Sequence, residues 1–123
     1  MSFVLQQWPQ TVYPDEADEL PSAKMVIDVA LKNLAQYGPK PEGYSVKNLG
    51  KKKGCLWQLN LKVEKQQIRI LFAPYNKTIV VFKIHKKSSP QEQDRAYADA
   101  MKRKNYADQV MKKSGQAHDI TIH

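Results

Sequence analysis

Three apolar runs separated by short connections restrict the fold of this chain more than any other feature. The runs are CLWQLNLKV, QQIRILFAPY and TIVVFKIHK, at residues 55–63, 66–75 and 78–86. Each is rich in β-branched, aromatic and other apolar residues and is bounded by turn-forming residues, which is typical of β-strands. Connections this short join antiparallel neighbours, because a parallel crossover needs a dozen residues or more. The sequence therefore predicts an antiparallel meander.

Two shorter segments before the meander also have strand character. SFVLQQW, from Ser2 to Trp8, is predicted to form a first strand that ends at Pro9. The connector between residues 39 and 54 is rich in turn-forming residues, and a short edge strand is expected within it, near Tyr44–Lys47.

Helices are predicted before and after the meander along the chain. The segment 22–38 has an apolar stripe at helical spacing, formed by Ile27, Ala30, Leu31 and Leu34. A second helix begins at Ser89-Pro90-Gln91-Glu92, a capping box with proline at the first helical position. It should run to about Lys113, because Gly115 follows.

These elements together predict one α+β domain that spans residues 1–123, with a flexible tail from about residue 115. Its sheet is antiparallel or mixed and has about four strands. The N-terminal helix or helices and the C-terminal helix are expected on one face of the sheet.

The alternation of side chains along the strands predicts which face the helices cover. The apolar face holds the following residues: Trp57, Leu59, Leu61, Val63, Ile68, Ile70, Phe72, Val80, Phe82 and Ile84. The second face is mixed, and its members are Gln58, Asn60, Lys62, Arg69, Leu71, Ala73, Ile79, Val81, Lys83 and His85. We expect the helices to cover the apolar face and to leave the second face as a shallow basic concavity.

Arg69 is the first candidate for a functional residue. It lies between Ile68 and Ile70 in the central strand, where a guanidinium is costly unless its face is wet or its charge is matched. Its planar fork suits a phosphate group. The alternative is an ion pair between Arg69 and a carboxylate of the C-terminal helix.

His85 is the second candidate. It alternates with Ile84 and should leave the apolar face together with Lys83. Imidazole is the side chain best suited to proton transfer near neutral pH, and nearby lysines lower its pKa and favour the neutral form. The alternative is a solvated histidine at the end of a strand.

The remaining candidates are cationic or polar. Lys62 and Lys83 are predicted to assist Arg69 at a phosphate. The residues predicted to contact an RNA backbone are Asn60 on the same face, Lys51, Lys52 and Lys53 in the connector, and Lys86 and Lys87 after the third run. The alternative for the lysines is a solvated surface.

The distribution of charge favours an anionic partner. The formal net charge is +8. Residues 1–46 contain three lysines and six acids, a balance of −3, whereas residues 47–123 contain seventeen Lys or Arg and six acids, a balance of +11. This asymmetry is typical of proteins that bind nucleic acid or an anionic membrane, although a lysine-rich solubilising surface produces the same balance.

The other residue types restrict location and chemistry. A lone cysteine, Cys55, the lack of a signal-like start and the lack of a long apolar run predict a cytoplasmic protein that does not enter a membrane. No metal-binding spacing of His and Cys occurs, and the only acid expected near the basic face is Glu64. We therefore expect no metal or other cofactor. Cleavage without a metal favours RNA, whose 2′-hydroxyl supplies an internal nucleophile.

The segment from Val46 to about Lys104 resembles the RelE superfamily of bacterial toxins, in particular the phage-derived branch of the HigB type. The resemblance rests on VKNLGKKKGCLW, IRILF and an apolar strand that leads into KKS and a helix. It implies a RelE-like fold, ribosome-dependent cleavage of messenger RNA and inhibition of translation. It also implies a cognate antitoxin, expected to be a helix-turn-helix protein encoded by a neighbouring gene.

The resemblance implies roles for some residues, whereas other positions differ from the family's pattern. Arg69 matches the family's strand arginine, which is thought to bind the scissile phosphate, and Lys86 and Lys87 match its lysine pair. Leu61 stands where the family has a second arginine, with Lys62 just after it, and Gln58 stands where it has a glutamate. The identity of the general acid and base stays open. The alternative function is a catalytically inactive RelE-like module that binds nucleic acid or protein.

Overall fold

The computed structural model describes residues 3–114 and 118–119, and the side chains of residues 3–13 and 15–109. It has an α+β architecture built on a mixed sheet of five main strands. The strands are β1 (Val4–Gln7), β2 (Ser45–Asn48), β3 (Trp57–Val63), β4 (Gln66–Tyr75), β5 (Thr78–Lys86) and a two-residue β6 (His118–Asp119); the helices are α1 (Lys24–Tyr37) and α2 (Pro90–Ser114). The order across the sheet is β2-β3-β4-β5-β1-β6.

The meander predicted from the sequence is confirmed. Strands β3, β4 and β5 pair antiparallel in succession, and β2 pairs antiparallel with β3 at the edge. The connections hold only two residues each, at 64–65 and 76–77, and β4 extends through Pro74 and Tyr75.

The N-terminal strand makes the sheet mixed. Val4–Gln7 pairs parallel with the first half of β5, and His118–Asp119 pair antiparallel with the outer edge of β1. The sequence predicts a flexible tail from about residue 115. His118–Asp119 instead form β6, and the rest of that tail lies outside the described residues.

Helix α1 covers one face of the sheet. Its buried residues are those of the predicted stripe, Ile27, Ala30, Leu31 and Leu34. They form one core cluster with side chains of β3, β4 and β5, including Leu59, Ile70 and Ile84. The helix ends at Gly38, whose φ of 95° is one that glycine adopts without a steric penalty.

Helix α2 packs on the opposite face, so the prediction that both helices share one face is wrong. Its residues Ala96, Ala100 and Ala107 are buried, and the last two form a second core cluster. The sheet residues of this cluster are Leu56, Leu71, Ala73, Val80 and Phe82. This face is therefore apolar along half of its length, and burying it against a helix is favourable by roughly 25 cal/mol per Å² of apolar surface.

A β-bulge in β5 explains why simple alternation predicts the wrong face for four residues. Leu71 pairs with Lys83 and Phe72 pairs with Val81, so Phe82 is an extra residue with no partner on β4. Such a residue reverses the alternation on one side of the bulge. As a result Val80 and Phe82 face α2, whereas Ile79 and Val81 face α1.

The acidic N-terminal segment satisfies the backbone next to this bulge. Glu16 lies in a helical turn, Val12–Glu16, and its carboxylate accepts a 2.9 Å hydrogen bond from the backbone N–H of Ile84. The same carboxylate lies 2.7 Å from the guanidinium of Arg103 on α2, which also donates to the carbonyl of Phe82. These bonds hold the second half of β5, and with it Lys83 and His85, in place.

Among the described helices, none has the length and apolar composition needed to cross a membrane.

Candidate functional site

Arg69 and His85 lie directly opposite each other in the sheet. They are partners in the β4–β5 register, on the face that α2 covers in part. Side chains that oppose each other in an antiparallel pair have Cβ atoms about 4.5–5.5 Å apart. The two candidates that the sequence places on separate strands are therefore neighbours, as the predicted concavity requires.

The Arg69 guanidinium contacts α2 through neutral groups. One of its terminal N–H groups donates to the side-chain oxygen of Gln93, and the same nitrogen lies 2.7 Å from the Tyr97 hydroxyl. Tyr97 in turn donates to Oε1 of Gln58 on β3, at 2.6 Å. Within the described side chains Arg69 forms no ion pair, so the alternative of a carboxylate partner on the C-terminal helix is not what the structure has. Its charge is available to an anion.

The imidazole of His85 is held in its neutral form. Burial lowers its pKa to about 4. The hydrogen bond to the Lys86 carbonyl opposes this effect in part, and the positive charges of Arg69 and Lys83 add smaller effects in the same direction as burial. Nδ1 lies 3.3 Å from that carbonyl, which can only accept a hydrogen bond, so Nδ1 carries the proton. The lone pair is then on Nε2, the nitrogen that a general base uses.

Two polar atoms of this pair have no hydrogen-bond partner among the residues that the structure describes. Arg69 Nε and His85 Nε2 are both buried and make no hydrogen bond within the described part of the chain. A buried polar atom without a partner costs about 1–3 kcal/mol. Buried unsatisfied groups are rare in folded proteins, and a catalytic role or a bound water or ion is among the explanations for them.

Two open depressions on the side of α2 flank the pair. One, of about 410 Å³, is lined by Arg69, Lys62, Asn60 and Lys47, beside β2 and β3. The other, of about 230 Å³, is lined by residues of β5 and α2, among them His85, Lys83, Lys86, Arg95, Glu92 and Asp99. Arg69 lines the first depression and His85 lines the second, and Gln93 and Tyr97 of α2 contact Arg69. A third depression, of about 220 Å³, is lined by His85 and Lys83 together with Glu16 and Glu19.

The structure brings most of the other predicted residues to these depressions. Lys62 is exposed beside Arg69, and Asn60 is the partner of Arg69 on β3. Lys83 lines the second depression and lies 3.5 Å from Asp99. Lys53 places its ammonium 4.7 Å from the centre of the Tyr97 ring, a cation–π distance.

Three predicted lysines lie farther out. Lys51 and Lys52 are exposed on the 3₁₀ turn Lys51–Lys53 and line neither depression. Lys87 is exposed just after β5, where its backbone N–H donates to the Gln67 carbonyl at 2.7 Å. These side chains extend the basic surface around the site.

The expectation that Glu64 is the only acid near this face is wrong. Because α2 lies on the face, its residues Glu92 and Asp99 line the depression at His85. No group of three His, Cys, Asp or Glu side chains comes together as a metal site among the residues that the structure describes.

Sequence reasoning missed Tyr97 and Gln93, which both contact Arg69. The ring of Tyr97 also meets the His85 ring edge-on, with centroids 6.3 Å apart. A signal for both residues was present in the helix itself. Gln93 and Tyr97 lie on the same helical stripe as the small residues Ala96 and Ala100, and a run of alanines at this spacing indicates the side that approaches a neighbour closely.

Comparisons with known proteins add no relative to this description. No model of a protein family matches the chain, and no match was found among curated proteins or solved structures.

Proposed function

We propose that this protein is a metal-independent endoribonuclease, the toxin of a toxin–antitoxin module of the RelE superfamily, that cleaves messenger RNA on the ribosome and stops translation. The observation that carries the proposal is the pairing of Arg69 with His85. A guanidinium without an ion pair among the described residues lies opposite a neutral imidazole whose buried Nε2 carries the lone pair.

The chemistry follows from these two groups. Nε2 of His85 takes the proton of a ribose 2′-hydroxyl, and the oxygen attacks the adjacent phosphorus. Arg69, with Lys62 beside it and Lys83 on the side of His85, stabilises the negative charge that builds on the phosphoryl oxygens. The bond to the 5′-oxygen breaks, and a lysine or the protonated His85 gives that oxygen a proton. The products are a 2′,3′-cyclic phosphate and a 5′-hydroxyl, and no metal or other cofactor takes part in these steps.

The surroundings of the site support an RNA substrate. Lys47 and Lys62 lie on the side of Arg69, and Lys53 lies over the Tyr97 ring. Lys86 and Arg95 lie on the side of His85, where Glu92 and Asp99 offset part of their charge. Cations on both sides of a reactive pair fit a polyanion that continues in both directions. The resemblance of residues 46–104 to HigB-type toxins adds the ribosome, a cytoplasmic location and a helix-turn-helix antitoxin to the proposal.

Replacing Arg69 tests the assigned role. Arg69→Ala should lower the rate of ribosome-dependent mRNA cleavage by about 10²–10³-fold, which is the typical loss when one preorganised donor to a transition state is removed. Arg69→Lys should restore only part of the rate, because an ammonium lacks the fork. Lys77→Ala, which removes one exposed charge at the β4–β5 turn, is the matched control and should cleave normally. Full activity of a folded Arg69→Ala protein would refute the role.

A second candidate is a binding module that does not cleave RNA. The observation that favours it is the burial of His85 Nε2, together with the fact that Arg69 and His85 line different depressions. A binding module would retain RNA with a steep dependence on salt and release no fragments. An active toxin would arrest growth when it is expressed, and His85→Gln would relieve that arrest.

A further inference from the structure

Gln93 occupies the position on Arg69 that an anion would take. Its side-chain oxygen accepts from the guanidinium, beside the Tyr97 hydroxyl that contacts the same nitrogen. An amide oxygen is a neutral acceptor, and a phosphate oxygen is an acceptor with charge, which binds a guanidinium more strongly. Gln93 is therefore a competitor that a phosphodiester can displace.

The first turns of α2, which carry Gln93, are held weakly. Of residues 90–95, only Gln93 is even partly buried. Its contacts there are polar, to Arg69 and to the Ser88 carbonyl at 3.0 Å. The backbone also contacts Ser89 at this end: the N–H of Glu92 donates to the Ser89 hydroxyl at 3.3 Å, and the N–H of Gln93 donates to the Ser89 carbonyl at 3.0 Å.

The following turns of α2 are held by many contacts. Ala100 and Ala107 lie in the core, Arg103 pairs with Glu16, and Asp108 accepts from the Tyr75 hydroxyl and pairs with Lys104. Tyr106 stacks on Trp8, with ring centroids 5.2 Å apart. Elements with few buried contacts open locally at a small fraction of the cost of global unfolding. The start of α2 can therefore lift while the rest of the helix stays in place.

We propose that residues 90–95 of α2 form a closure segment over the Arg69–His85 pair, and that a phosphodiester of single-stranded RNA opens it by taking the place of Gln93 on Arg69. Opening joins the two depressions into one groove and exposes the buried nitrogens of both residues. The identity of the ligand as RNA rests on the proposed function. The displacement of Gln93 requires only that a phosphodiester binds Arg69, whether or not it is then cleaved.

Two pairs of variants test the closure, with an RNA oligonucleotide made uncleavable by 2′-deoxy substitution as the probe. Gln91 is exposed on the first turn. Gln91→Gly weakens that turn and should bind the probe about fivefold more tightly than Gln91→Ala, which corresponds to the difference in helix propensity between the two residues. Gln93→Ala should also bind more tightly than the wild type. Gln93→Glu should bind more weakly than Gln91→Glu, because only the former gives Arg69 a carboxylate.

Hydrogen exchange gives an independent readout. Binding of the probe should accelerate exchange of the amides of residues 93–96 and leave those of residues 101–108 unchanged. Equal affinities of Gln91→Gly and Gln91→Ala, weaker binding by Gln93→Ala, or protection of residues 93–96 on binding would each overturn the closure. So would a failure of every variant to bind the probe.

The outcomes separate the closure from the nuclease. If the affinities follow the predicted order but the protein does not cleave unmodified mRNA on translating ribosomes, the closure is supported and the proposed nuclease activity is refuted. Cleavage without that order would support the enzyme and refute the closure.

Discussion

The burial of His85 makes a prediction about acid stability that does not depend on catalysis. In the unfolded chain a histidine has its ordinary pKa of about 6.5, whereas in the fold burial lowers the pKa of His85 to about 4. Below pH 6.5 the unfolded state therefore binds a proton that the folded state does not. The stability due to the neutral ring is complete above pH 6.5 and is lost as the pH falls toward 4.

The size of the effect follows from the two pKa values. Between pH 7 and pH 5, one group with these values lowers the free energy of unfolding by about 2 kcal/mol. This is an upper limit, since part of the ring contacts solvent and its charge would be screened there. His85→Gln has no group that titrates at this position and should lack this loss.

Urea denaturation of both proteins at pH 7, 6 and 5 measures the difference. Carboxylates that titrate in this range contribute equally to both proteins, so the comparison isolates the imidazole. We expect the gap between the two unfolding free energies to change by up to about 2 kcal/mol over this range, in favour of the variant at low pH. Parallel pH curves would mean that the ring of His85 is solvated and would refute the argument that burial keeps it neutral.

Three further substitutions test contacts around the site. Tyr97→Phe should lower the free energy of unfolding by about 1–2 kcal/mol in urea titrations, because the buried amide of Gln58 loses its donor. Glu16→Ala should lower the free energy of unfolding by about 2–3 kcal/mol in the same assay, because the backbone N–H of Ile84 and the guanidinium of Arg103 lose their acceptor. Glu19→Ala, on the same acidic segment, is the control and should lower it little. Cys55→Gly should raise the free energy of unfolding by up to about 1 kcal/mol and the melting temperature with it. The reason is that Cys55 has a φ of 59°, in a region that glycine adopts without the steric penalty of a side chain.

The strands and helices were predictable because each is specified locally. The runs at residues 66–75 and 78–86 match β4 and β5 residue for residue. The stripe that begins at Ile27 is the buried side of α1, and the box that begins at Ser89 starts α2. Periodicity, turn residues and caps act within a few residues, so the sequence displays them directly.

The position of α2 was not predictable from the same signals. Alternation assigns Val80 and Phe82 to the face of Ile84, but the bulge at Phe82 separates them. A bulge depends on pairing with another strand and on the Glu16 carboxylate, far away in the sequence. The face that a helix covers therefore depends on contacts that local patterns do not contain.

The residues of the candidate site fall into the same two groups, those that the sequence predicts and those that it does not. Arg69 and His85 could be predicted because a charged or titratable residue inside an apolar strand is conspicuous. Tyr97 and Gln93 could not be assigned to the site, because a helix that is expected on the other face cannot contact Arg69. Once α2 is placed, their spacing with Ala96 and Ala100 makes both contacts understandable.

The central claim is that Arg69 and His85 direct a ribose 2′-hydroxyl against its own phosphate. The most direct measurement uses translating ribosomes with an mRNA that carries a single 2′-deoxynucleotide at the position cleaved in the unmodified message. The account predicts that wild-type protein leaves 2′,3′-cyclic phosphate and 5′-hydroxyl ends on the unmodified message, and that cleavage at the substituted position disappears. Cleavage that persists at the 2′-deoxy position, or 5′-phosphate ends on the products, would contradict it.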